Sequence, residues 1–260
     1  MSAGPAGAPG TPGHLRLDAV EVDFGGFKAV AGLTLSVARG ELRCLIGPNG
    51  AGKTTALDMI CGKVRPTKGS IWLDSTRLDR LEEHAIARAG VGRKFQVPSV
   101  FRALTVRQNL RVARARGTGV FANLVRSAHR GEDDRIEAIA RLVGLTERLD
   151  QPADQLSHGQ TQWLEIGMVL AQDPEVILMD EPTAGMTEAE TRKTAELFNE
   201  LRGQHTLLVV EHDMSFVKAI ADRISVMHQG KLLAEGSVSD IERDDAVRSA
   251  YLGGRGFTDA

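Results

Sequence analysis

The sequence predicts an α/β fold with a nucleotide-binding core, and three apolar runs carry that prediction. Leu42-Arg43-Cys44-Leu45-Ile46 leads straight into Gly47-Pro48-Asn49-Gly50-Ala51-Gly52-Lys53-Thr54, which fits the phosphate-loop pattern G-x-x-x-x-G-K-[ST]. Val176-Ile177-Leu178-Met179 ends in two adjacent acids, Asp180 and Glu181. Thr206-Leu207-Leu208-Val209-Val210 ends in Glu211 and His212. Short apolar runs closed by glycine or polar groups read as parallel strands buried on both faces.

The chemistry follows from what stands at the strand ends. A buried strand feeding a glycine-rich turn and then a helix lets backbone N–H groups wrap a phosphate, and the helix N-terminus adds partial positive charge. Gly47, Gly50 and Gly52 are read as permitting that close approach, with Pro48, Asn49 and Ala51 completing the loop. Lys53 would reach the β- and γ-phosphates of ATP, Thr54 would ligate Mg²⁺ and Thr55 would touch the α-phosphate. Asp180, at the tip of its strand, would hold Mg²⁺ through water. Glu181 would orient and deprotonate the attacking water, which makes the chain an ATPase. The phosphate loop is expected on the strand next to the one carrying these acids.

Leu156-Ser157-His158-Gly159-Gln160 precedes a helical pattern, Trp163, Ile166, Gly167 and Leu170, with Ser157 as a natural N-cap. By itself that is a helix start. Standing after the phosphate loop and shortly before the acidic strand, it resembles the signature sequence of ABC ATPases, and the resemblance runs from about Leu15 to Gly253. It implies a RecA-like P-loop NTPase core with an antiparallel β-subdomain and an inserted helical subdomain. It also implies that two ATPase units face head to tail, so that Ser157, Gly159 and Gln160 would contact ATP held by a partner. His158 departs from the commonest signature, which has glycine there. Its ring is read as a tolerated variant, with a hydrogen bond near the γ-phosphate as the alternative.

Further roles come from the resemblance alone. Gln96, within Gly92-Arg93-Lys94-Phe95-Gln96-Val97-Pro98, matches the loop whose glutamine reaches Mg²⁺ and water. His212 matches the switch histidine facing the γ-phosphate. Phe24, at the end of Val20-Glu21-Val22-Asp23-Phe24, stands where an aromatic ring stacks on adenine, and a core phenylalanine is the competing reading. Ala184-Gly185-Met186 lacks the aspartate usual in the family's D-loop, and Thr187 with Glu190 forms a capping box beside it.

Organisation along the chain is simple. Residues 1–13, rich in Gly, Ala and Pro, read as a disordered tail; 14–253 as the ATPase domain, with the helical subdomain at about 100–165; and 254–260 as a polar tail. Alternating strands are expected at Leu15 to Phe24 and Leu33 to Val37, framing a Gly25-Gly26 turn, and at Gly69 to Asp74. From Thr105 to Leu149 the pattern is helical, with Ile136, Ile139, Ala140 and Val143 on one face and Gly144 as the stop. Arg111 to Arg130 is basic and reads as a solvated helical hairpin, or else a docking surface. Cys44 and Cys61 read as core residues, and His14, His84, His129, His205 and His228 show no metal-ligand spacing.

Composition bounds the partners. A net charge of -2 over 260 residues excludes a general polyanion surface, so no nucleic acid is expected. No apolar run approaches the roughly 18 residues that span a bilayer, and no signal pattern opens the chain. The expected place is the cytoplasmic face of a membrane, reached through two transmembrane permease subunits. A second ATPase subunit, identical or paralogous, completes the pair, and an extracytoplasmic solute-binding protein acts indirectly. The Phe101 to Leu110 segment, Glu211-His212-Asp213-Met214 and Ala250-Tyr251-Leu252-Gly253 are similar to importers of branched-chain amino acids and amides. The signature run into Gln162-Trp163-Leu164-Glu165-Ile166-Gly167-Met168 is most similar to the urea transporter's ATP-binding subunit of the D type, and urea is the expected solute. Branched-chain amino acid or other amide import is the alternative, with lipopolysaccharide export behind it.

Overall fold

The computed structural model describes residues 13–94, 100–114 and 130–252, with side chains apart from those of 130–132, 251 and 252. Among these, two sheets organise the molecule. A four-stranded antiparallel sheet has the order β2 (Phe27–Val37), β1 (Leu15–Phe24), β4 (Lys68–Leu73), β5 (Thr76–Arg77). A six-stranded sheet has the order β10 (Lys231–Gly236), β9 (Arg223–His228), β3 (Leu42–Ile46), β8 (Thr206–Val210), β7 (Val176–Asp180), β6 (Val91–Lys94). Its strands from β9 to β6 are parallel, and β10 returns antiparallel along the edge.

Every residue of β3, β7 and β8 is buried, which is why those strands read as unbroken apolar runs. The alternation is hidden in which layer each residue faces. Cys44, Ile177, Met179, Leu207 and Val209 belong to a core shared with the helices Val106–Arg114, Arg130–Leu142, His158–Leu170, Glu188–Leu201 and Met214–Ile220. Leu45, Leu178, Leu208 and Val210 belong to a second core shared with the helix Lys53–Ile60 and the antiparallel sheet. Arg43 faces that second layer fully buried, paired with Glu41 and with Glu235 at 2.8 Å.

Two expectations are corrected. The strand expected from Leu33 begins at Phe27, because its first half is exposed at Phe27 and Lys28, has Gly32 at φ 87°, and is held to β1 by the ladder rather than by apolar alternation. The phosphate-loop strand β3 is not next to β7: β8 lies between them. Five-residue apolar strands are interchangeable by composition, so their lateral order is set by crossovers that the sequence pattern does not encode.

The helix His158–Leu170 is the hub of the helical layer. A Cβ on Gly167 would stand 3.1 Å from Leu110 Cδ2 and 3.4 Å from Ile139 Cγ2 and Val143 Cγ2, so glycine lets two helices close onto it. Gly144, at φ 68°, follows the helix that ends at Leu142. The basic stretch read as a hairpin lies mostly outside the described residues.

Candidate functional site

The phosphate loop is shaped by its own walls. A Cβ at Gly47 would fall 2.1 Å from the Met227 carbonyl oxygen, and one at Gly52 would fall 2.5 Å from the Ala29 carbonyl oxygen. Glycine at these two positions is therefore demanded by the chain's own backbone, whatever room it also leaves a ligand. At Gly50, φ 78°, a Cβ would meet nothing within 4 Å, so only there is space left beside the backbone. The bond from Gly230 N–H to the Ala51 carbonyl, 3.0 Å, braces the loop from the β9–β10 turn.

The helix Lys53–Ile60 begins at Gly52 without a side-chain cap and without an acid in its first turn. Its first N–H groups and the positive end of its dipole stay available to an anion. Lys53 is buried and donates from Nζ to the Gly47 carbonyl at 2.6 Å and the Pro48 carbonyl at 3.1 Å. Burial holds its ammonium below the usual lysine range, and the carboxylates of Glu181 and Asp180 work against that. Asn49, Thr54 and Thr55 complete the turn and the first helical residues.

Asp180 is 1 % exposed and neither carboxylate oxygen has a hydrogen bond. Burial raises its pKa, while the nearby Thr54 hydroxyl and the Arg93 guanidinium, at 3.7 Å, pull the other way. Thr54 lies close enough to act electrostatically but falls short of hydrogen-bond geometry. A buried carboxylate with no hydrogen bond to either oxygen, beside a threonine hydroxyl, fits a hard divalent cation with oxygen ligands.

Glu181 follows directly, with φ 49°, a left-handed conformation that a long side chain rarely adopts. Its N–H donates to the Val210 carbonyl at 2.9 Å, so the intervening strand β8 fixes the bend. His212 Nε2 meets Glu181 Oε1 across that junction, and both side chains remain partly exposed, at 44 % and 34 %. The intervening strand is thus what brings the imidazole to the acid.

Sequence reasoning missed Glu211. Buried, it accepts from Thr183 N–H at 3.1 Å, Thr183 Oγ1 at 2.6 Å and His212 N–H at 3.1 Å, fixing the loops on both sides of Glu181. An acid between a buried strand and His212 was the available signal. Arg93, which pairs with Asp58 at 2.6 Å and approaches Asp180, was missed as well.

The signature turn lies in the helical layer. Ser157 Oγ accepts from Gln160 N–H at 3.2 Å, and Gln160 Oε1 accepts from Ser157 N–H at 3.0 Å, a full capping box. Gly159 is packed so closely that a Cβ would meet Glu190 Oε1 at 2.2 Å. His158 does not point simply to solvent: its Nε2 is 3.0 Å from the Ala184 carbonyl. Thr187 and Glu190 form the expected capping box. A cavity of about 310 Å³ lies beside this turn and away from the phosphate loop, lined among others by Val100, Arg102, Leu156 and His158.

Phe24 is 52 % exposed, which removes the core reading, and Phe27, its cross-strand partner, is 66 % exposed. Gln96 lies outside the described residues. His14, read as having no ligand spacing, is brought in space to Asp74 Oδ1 at 2.9 Å and Glu175 Oε2 at 3.8 Å. Arg39 bridges the same two carboxylates at 2.6 and 2.9 Å, so the cluster already carries its positive charge.

An acid–imidazole pair poised one strand away from an uncapped phosphate loop is the equipment of a P-loop protein that hydrolyses nucleoside triphosphates. Residues 30–184 match the ABC transporter family. Over 248 residues the chain is 39 % identical to the high-affinity branched-chain amino acid transport ATP-binding protein LivG of Escherichia coli, covering 92 % of this chain and 97 % of that protein. It is 38 % identical over the same length and shares to the corresponding protein BraF of Pseudomonas aeruginosa. Among solved structures, the ATP-binding cassette MJ1267 in its ADP conformation matches with a TM-score of 0.83 at 29 % identity, covering 94 % of this chain and all of that one. The chain belongs to the ABC transporter family and is an ATP-binding ATPase of that type. No helix among the described residues is long and apolar enough to cross a membrane.

Proposed function

We propose that this chain is the ATP-hydrolysing subunit of a membrane importer for branched-chain amino acids. The observation that carries the enzymatic part is the Glu181–His212 contact at the tip of β7. In this reading Glu181 orients and deprotonates the attacking water, and His212 holds the carboxylate and faces the transferred phosphoryl group. Lys53 and the backbone of residues 47–55 bind the phosphates, and Phe24 stacks on the base. Thr54 and Asp180, with Gln96, would hold Mg²⁺, whose bound charge neutralises the β- and γ-phosphate oxygens. Ser157, Gly159 and Gln160 would serve ATP on a second ATPase subunit.

The substrate assignment leans on the relatives. Urea import rests on the likeness of the signature and its following helix, whereas the transport proteins 38–39 % identical over nearly the whole chain are named for branched-chain amino acids. A solute is bound by other chains, so the ATPase contributes only drive: closure of two ATP-loaded units would move a pair of permease subunits, and hydrolysis would reset them. That assembly places the chain at the cytoplasmic face of the membrane, with a solute-binding protein acting from the other side.

The test is the assembled complex in vesicles, with the solute-binding protein that co-purifies. ATP turnover stimulated by leucine, isoleucine or valine and not by urea is the expected result. Stimulation by urea alone would restore the amide reading, and Glu181→Gln should abolish turnover in either case while ATP still binds.

A further inference from the structure

We infer that His158 is a positioning residue that locks the signature turn to the loop Ala184–Met186, holding the surface offered to a partner's nucleotide in register with this chain's own Glu181. The inference rests on the paired-ATPase reading above. His158 is the first residue of the signature helix, and its Nε2 stands 3.0 Å from the Ala184 carbonyl. A carbonyl only accepts, so Nε2 carries the proton and donates. Ala184 in turn donates its own N–H to the Glu181 carbonyl at 3.2 Å. Three hydrogen-bonded links therefore run from the imidazole of His212 through Glu181 and Ala184 to the signature turn.

The neighbouring contacts show that this is a joint and not a chance approach. A Cβ on Gly185 would lie 3.0 Å from His158 Nε2, so the loop comes close because residue 185, at φ 75°, is glycine. Glu190 packs on Gly159, and Trp163 Nε1 donates to Thr194 Oγ1 at 3.0 Å with Lys193 over its ring at 4.1 Å. The first turns of the signature helix, from His158 to Trp163, are thus fastened to the segment that follows Glu181. Thr183, between Glu181 and Ala184, is pinned by Glu211. A glycine at position 158 would keep the packing of Gly159 and Trp163 but leave the loop's carbonyl to water. The imidazole adds a bond that reaches the loop itself.

The experiment uses the full chain carrying Glu181→Gln, expected to hold ATP without turning it over, and follows the ATP concentration that gives half-maximal dimer by light scattering. Adding His158→Leu, which keeps bulk but removes the donor, should raise that concentration about five- to tenfold, the effect of one ordered hydrogen bond. His158→Gln, whose amide can donate from a similar position, should return it to within about twofold of the parent. Melting temperatures of the nucleotide-free variants should differ by no more than a few degrees, since the ring is exposed and water can replace its partner. Equal midpoints for Leu and the parent, or a Gln variant that behaves like Leu, overturn the role of His158 while leaving the pair intact. A Glu181→Gln chain that stays monomeric at saturating ATP, both alone and mixed with the ATPase subunit that co-purifies with it, overturns the paired reading itself, and this inference with it.

Discussion

His212 and Glu181 are joined through Nε2 and Oε1 although they close two different strands, because β8 and β7 are adjacent and in register from Thr206 and Val176 to Val210 and Asp180. That registry, rather than proximity in sequence, builds the pair. His212→Ala should lower kcat by about 10²–10⁴, the usual contribution of a positioned acid–base group, while leaving the Kd for ATP within a few-fold. Steady-state turnover beside equilibrium binding of a fluorescent ATP analogue checks both halves. A variant that loses ATP affinity as much as turnover would mean that His212 acts in binding instead.

Asp180 should make the nucleotide-free protein less stable as pH rises. Burial raises its folded pKa above the unfolded value, so the folded state holds the extra proton. Stability from this group is full below the ordinary carboxylate range and is lost as pH climbs from there through the raised folded pKa. Asp180→Asn should therefore melt higher than the parent at neutral pH without nucleotide, by a few degrees for each ~1 kcal/mol recovered, and with a flatter pH dependence. It should also lose most of the stabilisation that Mg²⁺ and ATP give the parent. Thermal scans from acid to neutral pH, with and without Mg²⁺ and ATP, measure both effects.

Gly52 and Gly50 separate folding from binding. Gly52→Ala forces a Cβ against the Ala29 carbonyl at 2.5 Å with φ 98°, so it should cost about 2–4 kcal/mol of stability through strain and overlap. Gly50→Ala meets no atom within 4 Å and bears only the left-handed penalty, about 1 kcal/mol. Its Cβ nonetheless occupies the open side of the loop, so ATP affinity should fall at least tenfold with little change in melting temperature. Chemical denaturation and ATP titration of the two variants should give opposite rankings.

What the sequence disclosed follows from how each element is buried. β3, β7 and β8 were legible because both faces are covered, which leaves no polar residue to interrupt Val176–Met179 or Leu207–Val210. The cap at Ser157 and the capping box of Thr187 with Glu190 are local and were legible for that reason, while the return bond from Gln160 to Ser157 emerged only in the structure. β6 was obscured because Lys94 is a buried lysine, tolerable only with Glu165 of the signature helix 3.4 Å away. The partners of His14, the role of Glu211 and the reach of His158 to Ala184 depend on segments 26 to 161 residues apart, and no periodicity within one element can report them. The need for glycine at 47 and 52 was visible, but its cause, two carbonyls from other strands, was not.

Phe24 should contribute to ATP affinity and almost nothing to folding. Its ring is about half exposed and lies directly across the Gly25-Gly26 turn from Phe27, so deleting it opens no core cavity. Stacking of a base on an aromatic ring is worth about 1–3 kcal/mol, which predicts a loss of roughly 5- to 150-fold in ATP affinity for Phe24→Ala with an unchanged melting temperature. Phe27→Ala is the matched control, since it removes the other exposed ring from the same hairpin. If the affinity loss appears in Phe27→Ala and not in Phe24→Ala, the base stacks on the second ring of the pair. If neither variant weakens binding, the hairpin takes no part in holding the nucleotide, and isothermal titration with ATP and with inorganic triphosphate would then give the same ranking of variants.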